Sequence, residues 1–386
     1  MKKTHYILVI NAGSSSIKLT IFDKNDWSVL YDEYIERVKN HTRTLKKVFK
    51  KLRKKGLELE HIKSVGHRVV HGGEKYTKST RITEKVIKAL EGLAPLAPLH
   101  NPANISGIRA AQKLLPHAKH YAVFDTAFYS TLPEKAYLYA LPYNLYREHG
   151  IRRYGFHGTS HEYVIEQALQ HTGPARVRKS KTPHRIISCH LGNGASITAS
   201  IDGKAIDTSM GFTPLEGIPM GTRSGDIDPA IVFFLEKHLH GKFSLKKLEK
   251  VQHILEKESG LKGISELSHD MRDLRDAYFK TKGKKHKQAA RALDLYCYRI
   301  AKYIGAYTAS MGGVDTIIFT ATVGEKADYI RKWVCKYLDY LGLKLDTAKN
   351  RRTVSPKKLT EIQDKKSKVK ILVIPTNEAL QIARQT

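Results

Sequence analysis

A chain of 386 residues, 41% hydrophobic and 27% charged, is long enough for roughly two or three domains, each with its own core. Its apolar runs fall far short of the ~20 residues of a membrane-spanning helix, and Ile7–Ile10 is too short for a secretory signal core, so neither a membrane nor a secreted protein is expected. Cys189, Cys297 and Cys335 are widely spaced and odd in number, which disfavours a disulfide framework or a zinc motif and points to a reduced, cytoplasmic compartment.

In chain order, Ile7–Ile10 is a β-rich run and Ile17–Phe22 alternates apolar with polar residues, with the Gly/Ser turn 11–16 between them: a hairpin. The same plan returns downstream. Arg185–His190 reads as a strand, Leu191–Gly194 as a turn and Ala195–Ile201 as the returning strand, followed by the Asp202-Gly203 turn into Lys204–Ile206. Two such hairpins suggest a duplicated α/β architecture with one phosphate-binding loop per half. Between them the Pro133/Pro142 region is the best candidate for a hinge. The clearest helix runs from about Gln288 to Met311, where Ala289, Leu293, Tyr296, Cys297, Ile300, Tyr303, Ile304 and Tyr307 recur three or four apart. After Gly312-Gly313 comes the strand Thr316–Thr320. The chain closes with the strand Ile371–Ile374, a break at Pro375 and a short helix from about Asn377.

The balance of 67 Lys+Arg against 37 Asp+Glu gives a formal charge of +30, which raises a nucleic acid or other polyanion as a partner. The basic clusters (Lys46-Lys47, Lys50–Lys55, Arg176–Lys181, Lys280–Lys287) have few interleaved aromatics and no recognised nucleic-acid module around them. Solvated basic surface is the simpler reading, and an anionic substrate would also gain from the field.

The common nucleotide motifs are missing: there is no G-x-x-x-x-G-K-[ST] run, and Gly192-x-Gly194 lacks a third glycine. Hairpin turns can cradle phosphate instead, through backbone N–H groups freed by glycine and through Ser or Asn donors. Four segments carry polar groups that a purely structural reading explains poorly. Residues 66–73 set Arg68 and two histidines against glycines, and Asp125 sits inside the apolar run 123–128. Residues 154–161 hold His157 and His161 four apart, a spacing that suits a metal on a helix, although Gly158 intervenes and no third ligand is evident. Residues 220–226 give another glycine-flanked arginine, Arg223. Arginine's planar fork suits carboxylate and phosphate. Pattern alone therefore reaches an α/β enzyme acting on anions.

The residues themselves go further. Val9–Ser16, His67–Gly73, Ala97–Pro102, Phe124–Phe128, Tyr154–His161, His190–Gly194, Met210–Pro219, Gly221-Thr222-Arg223 and Pro375–Glu378 resemble the signatures of the acetokinase family, in the family's order and over nearly the whole chain. The resemblance implies duplicated ribonuclease H-like domains of the actin/hexokinase/Hsp70 ATPase superfold, with an active site in the interdomain cleft. The expected domains are 1–130 with 377–386, and 131–376 carrying the nucleotide side. It implies a cytoplasmic, homodimeric acetate kinase moving a phosphoryl group between ATP and acetate, with Mg²⁺ or Mn²⁺ as the metal. Asn11 and Glu378 would position the metal, and Ser14 and Ser16 would line the first phosphate loop. Arg68 and Arg223 would grip acetate and the transferring phosphoryl group. His157 would donate to that group, and Asp125 would orient arginine or the metal shell. His100 and His190 would lie near the phosphates, and Leu191, Gly192, Asn193 and Gly194 would form the second loop. Asp270, Met271 and Arg272, with Thr322, Val323 and Gly324, would meet the nucleotide. Val70, Leu99, Phe156 and Pro214 would face the methyl group.

One segment departs from the family: Thr322 and Lys326 stand where glycine and asparagine are usual. A β-branched side chain there adds bulk and restricts φ, so either the change is tolerated, or adenosine binding is weakened, or the phosphoryl donor is other than ATP, such as pyrophosphate. Propionate kinase, or a related short-chain acyl kinase, is the nearest alternative, although Val70 matches acetate kinases. A polyanion-binding protein on a degenerate kinase fold would follow from the charge, and retention of the anion-binding residues argues against it. A sugar or glycerol kinase would need a base to deprotonate a hydroxyl.

Overall fold

The computed structural model describes residues 5–97, 100–172, 183–239 and 244–386. The chain forms two compact units. Residues 1–130, 156–163 and 377–386 make the first, and 131–155 with 164–376 the second.

The first unit is built on a six-stranded sheet of β1 (Tyr6–Ala12), β2 (Ser16–Asp23), β3 (Val29–Glu36), β4 (Ile62–Val69), β5 (Thr80–Arg81) and β6 (Lys119–Phe124), in the order β3-β2-β1-β4-β6-β5. β1, β2 and β3 form an antiparallel meander, β4 and β6 run parallel to β1, and β5 closes the edge antiparallel. The expected hairpin is present, closed by the Gly13 N–H donating to the Ser16 carbonyl at 2.8 Å.

Alternation along β1 sorts its residues between two cores. Leu8, Ile10 and Ala12 pack with Leu45, Val48, Phe49 and Leu52 of the helix His41–Lys54. Ile7 and Val9 pack on the other side with Phe22, Val123, Ile382 and Ala383. A sheet covered on both faces explains the continuous apolar run read in the sequence. The helix Glu378–Arg384, capped by the Asn377 side chain, supplies the second cover. It lies so close that a Cβ on Gly66 would meet the Ile382 side chain at 2.8 Å.

The second unit repeats the plan with β7 (Arg185–Leu191), β8 (Ala195–Ile201), β9 (Lys204–Thr208), β10 (Thr316–Thr320), β11 (Thr360–Glu361) and β12 (Lys370–Val373), ordered β11-β12-β10-β7-β8-β9. Each strand matches its counterpart in position and sense, from the β7–β8–β9 meander to the antiparallel edge strand β11. The duplication read from the two glycine-containing hairpins is therefore a duplication of the whole sheet.

The long helix runs Gly283–Met311 and stops at Gly312, whose φ of 68° is left-handed. It begins before the expected Gln288, since Gly283–Lys287 are helical but carry no apolar period for the sequence to display. Pro133 and Pro142 each precede a short helix, Glu134–Tyr137 and Tyr143–His149. No helix among the described residues is long and apolar enough to cross a membrane.

Candidate active site

In the first unit, the polar groups gather where β4 and β6 end. Arg68 is the penultimate residue of β4, and Asp125 follows the last residue of β6, its N–H donating to the Val69 carbonyl at 3.0 Å. The carboxyl ends of parallel strands are where open α/β sheets bind ligands. Arg68 meets Asp125 as a fork, Nε to Oδ1 at 2.9 Å and a terminal nitrogen to Oδ2 at 2.6 Å, and its Nε lies 3.8 Å from Glu378. Burial pushes the Asp125 carboxyl above its ordinary value, with Arg68 opposing. Burial also works against the Arg68 charge, but Asp125 and Glu378 outweigh it and raise its pKa.

The segment 156–159 packs against this pair. His157 has a φ of 59°, unusual for a residue with a Cβ, and its backbone N–H supports the Asp125 carboxylate. The next N–H, of Gly158, donates to the Asp125 carbonyl at 3.1 Å. A Cβ on Gly158 would sit 2.0 Å from that oxygen, so only glycine permits this approach. Thr159 then donates to Glu378 at 3.4 Å. Because His157 lies outside the helix Gly158–Thr172, His157 and His161 do not share the helical face that a metal pair needs. No His/Cys/Asp/Glu cluster able to hold a metal occurs among the described residues.

The turn after Arg68 is held by side chains that spacing alone did not single out. Asn104 accepts from the Val70 N–H and donates to the Ala12 carbonyl, Asn101 holds both backbone groups of His71, and Thr126 accepts from Gly72. Asn101 and Asn104 are three apart on one helix face, a signal visible in Asn101-Pro102-Ala103-Asn104. Val70 and Phe156 are buried, and the Phe156 ring lies edge-on to His71 at 5.7 Å. Leu99 lies outside the described residues, as does the basic cluster Arg176–Lys181. Asn11 is the penultimate residue of β1, opposite Lys18, Ser14 and Ser16 flank the exposed turn, and His100 precedes the helix Asn101–Leu114. His41 bonds the Gly13 carbonyl at 3.1 Å and thereby fixes that turn.

Three buried histidines of this unit weaken it towards acid. His120 donates from Nε2 to the Leu115 carbonyl, so its Nδ1 accepts from His67 at 3.0 Å, and both rings are neutral. His71 accepts from the Gly73 N–H through Nδ1. Burial lowers all three, His71 to about 4. Below about pH 6.5 the unfolded chain takes up protons that the folded chain refuses. For His71 this contribution is fully present above that pH and is lost between about 6.5 and 4, at about 1.4 kcal/mol per pH unit; His67 and His120 act in the same direction. Urea midpoints measured from pH 7.5 to 4.5 should fall over this window, and less steeply in His71→Gln. A flat profile would show that these rings accept protons when folded.

In the second unit, β7 ends in His190 and Leu191, and the Gly192 N–H donates to the Gly194 carbonyl to close the second glycine turn. Gly221 lies against that turn, donating to the Asn193 carbonyl at 3.2 Å; a Cβ there would be 2.4 Å from the Asn193 side chain. Beside the turn opens a cavity of 490 Å³. Gly192 and Asn193 form one wall, Asp270, Met271 and Arg272 another, and Thr322 and Val323 a third, so three separate sequence predictions converge on one space. Lys326, the other departure from the family, also lines it, as do Leu261, Arg275 and Tyr329; none of these last three stands in a motif that would have singled it out. Asp270 caps the helix Met271–Lys280 and forks with Arg272, which pulls its carboxyl down to about 2. Gly324 stays outside the cavity and packs against Phe319 of β10.

Thr322 is the second residue of the helix Ala321–Lys326, but the left-handed residue there is Ala321, with φ 62°. Thr322 thus adds bulk to the cavity wall without backbone strain. Arg223 donates to the Pro214 carbonyl at 3.3 Å and forms no ion pair among the described residues. Burial lowers its pKa, with Glu256 opposing. A half-buried guanidinium without a carboxylate partner is suited to an incoming anion.

The sequence profile of the acetokinase family matches residues 31–384. The chain belongs to the acetokinase family. It is 48% identical to the acetate kinase of Pseudothermotoga lettingae over 406 residues, covering 98% of this chain and 96% of that one. The crystal structure of Porphyromonas gingivalis acetate kinase superposes with a TM-score of 0.89 at 39% identity, over 99% of this chain and 98% of that one. A propionate kinase from Francisella tularensis superposes at 0.87 with 38% identity, over 99% of both chains. The matches span both sheets, so this acetokinase carries the family's complete two-unit plan.

Proposed function

We propose that this acetokinase is an acetate kinase that transfers the γ-phosphoryl group of ATP reversibly to acetate, giving acetyl phosphate and ADP by direct in-line displacement. The observation that carries the reading is the Arg68–Asp125 fork at the strand ends, two residues before the buried Val70. It offers a fixed positive charge beside a small apolar surface, which suits a short carboxylate. Acetate is ionised at neutral pH and needs no general base. The barrier is the approach of two anions, which aimed positive charge lowers.

In this reading Arg68 and Arg223 hold acetate and the transferring group, Asp125 fixes Arg68, and His157 donates to the transferring group. His100, His190, Ser14, Ser16, Asn193 and Gly194 contact phosphates. Val70, Leu99, Phe156 and Pro214 limit the acid's tail. The first unit, to which residues 156–163 belong, carries Arg68, Val70, Asp125, Phe156 and His157 on the acid side, and the second unit carries the nucleotide side. The Asn11 amide and Glu378 carboxylate are hard oxygen donors of the kind Mg²⁺ accepts while keeping several waters. When bound, the metal would neutralise phosphate charge.

ATP is favoured over pyrophosphate by the 490 Å³ cavity itself, whose Met271, Val323 and Leu261 give a nucleoside apolar contact that pyrophosphate cannot use. The test is hydroxylamine-trapped acyl phosphate from acetate and Mg²⁺ with each donor. Robust product with ATP is expected, and product with pyrophosphate alone would move the donor. Propionate is the second acid to try, given the similar Francisella structure. One methylene against Val70 is worth ~1–3 kcal/mol, so kcat/KM should favour acetate about tenfold or more; a preference for propionate would reverse the choice.

A homodimer is supported by the helix Ala230–His238, which exposes Ile231, Phe233 and Phe234 at 41, 67 and 58%. Sedimentation should give a dimer that Phe233→Ser/Phe234→Ser dissociates; an unchanged dimer would place the interface elsewhere. The three cysteines are free and buried, which agrees with a cytoplasmic setting.

A further inference from the structure

The second unit contains another cavity, of 580 Å³, that the residues assigned above do not line. Three helices build it. Tyr278 comes from the helix Met271–Lys280. Arg291 and Asp294, three apart, come from Gly283–Met311, and Trp333 and Lys336, also three apart, from Asp328–Lys336. Tyr337 follows directly. The Trp333 indole stands edge-on to Tyr278 at 5.1 Å, and Tyr278 stacks on His286 at 4.8 Å.

The polar groups at the rim are partly committed. Tyr337 donates to Asp294 at 3.2 Å, and Arg291 uses Nε on the Ile264 carbonyl at 2.9 Å. Arg291 also lies 3.8 Å from Glu266, whereas Lys336 forms no ion pair among the described residues. The space therefore offers aromatic faces for a flat ring, two cations for a phosphate, and one carboxylate able to accept from an amino group or a sugar hydroxyl. The volume falls in the range of small-molecule sites. Acetate has no ring to place there, and a lipid tail would meet charge on two sides.

We propose that this cavity is an accessory binding site for a nucleoside monophosphate, separate from the phosphoryl-donor cavity. The two spaces share an aromatic connection. Trp333 stands edge-on to Tyr329 at 5.3 Å, Tyr329 lines the donor cavity, and its hydroxyl reaches the Met271 carbonyl at 3.4 Å. An occupant against Trp333 thus borders the same ring that borders the donor. The proposal does not depend on which donor or acid the enzyme prefers.

Trp27 and Trp333 are the only tryptophans, and Trp27 belongs to the first unit, so the full-length Trp27→Phe protein reports on Trp333 alone. UMP and AMP should each give a saturable change in Trp333 emission. Ribose 5-phosphate, which lacks the base, and uridine, which lacks the phosphate, should each bind at least tenfold more weakly. Arg291→Gln/Lys336→Gln should weaken UMP about tenfold or more while leaving acyl phosphate formation within twofold of the parent. Thr322→Tyr, which fills the donor cavity, should leave the UMP response intact. Absence of a saturable response, or ribose 5-phosphate matching UMP, would overturn the proposal. So would a response lost in Thr322→Tyr yet kept in Arg291→Gln/Lys336→Gln, because Trp333 would then merely be sensing the donor cavity.

Discussion

Arg68→Ala is expected to lower the turnover of acetate by about 100- to 1,000-fold, the usual cost of removing one charge aimed at a transition state. The same change should destabilise the protein by ~3–5 kcal/mol, because it strips the partner from a carboxylate that is 1% exposed. The two losses separate experimentally. Turnover is read well below the melting temperature, where the variant remains folded, and stability is read from urea midpoints. Asp125→Asn should keep more stability than Arg68→Ala, since it leaves no buried anion behind. Near-normal turnover in Arg68→Ala would remove Arg68 from the reaction.

Arg331→Met should have the largest effect of any substitution away from the strand ends. Arg331 is 0% exposed, and its guanidinium meets only uncharged oxygens: the Asn350 side chain and the carbonyls of Gly324, Glu325, Asn350 and Thr353. Burial lowers its pKa to about 10, so the charge persists at neutral pH. Methionine fills much of the volume but leaves several buried acceptors unpaired, for an expected loss of ~3–5 kcal/mol. Gly324 and Glu325 belong to the short helix whose Thr322 and Val323 wall the 490 Å³ cavity proposed to take the donor. KM for ATP should therefore rise several-fold while KM for acetate stays constant. A variant as stable as the parent would show that desolvating the guanidinium costs about as much as its hydrogen bonds return.

Both hairpins, β10, and the buried stripe of the long helix were legible because each rests on local periodicity, which sequence displays directly. β3 was not recognised: Val29–Glu36 interleaves Asp32, Glu33 and Glu36 with its apolar residues, and its pairing with β2 is a long-range choice. The site divided in the same way. Family likeness pointed to Arg68, Asp125 and Glu378, but their meeting depends on residues 57 and 253 positions away from Asp125 being brought to one place by the sheet and by the helix Glu378–Arg384. Gly158 looked like an interruption of a helix; its purpose is the close approach to the Asp125 carbonyl. Arg331, Tyr329 and Arg275 left no local signal, since their importance comes from what surrounds them after folding.

The helix Glu378–Arg384 also fixes an order of events during synthesis. Most of the first unit leaves the ribosome before any of the second, yet the face of β1 bearing Ile7 and Val9 is covered by Ile382 and Ala383. Those residues emerge only after all of 131–376 has been made. The half of the enzyme translated first is thus the half finished last, and an arrested chain lacking residues 377–386 has all six strands of its first sheet but neither that apolar cover nor Glu378.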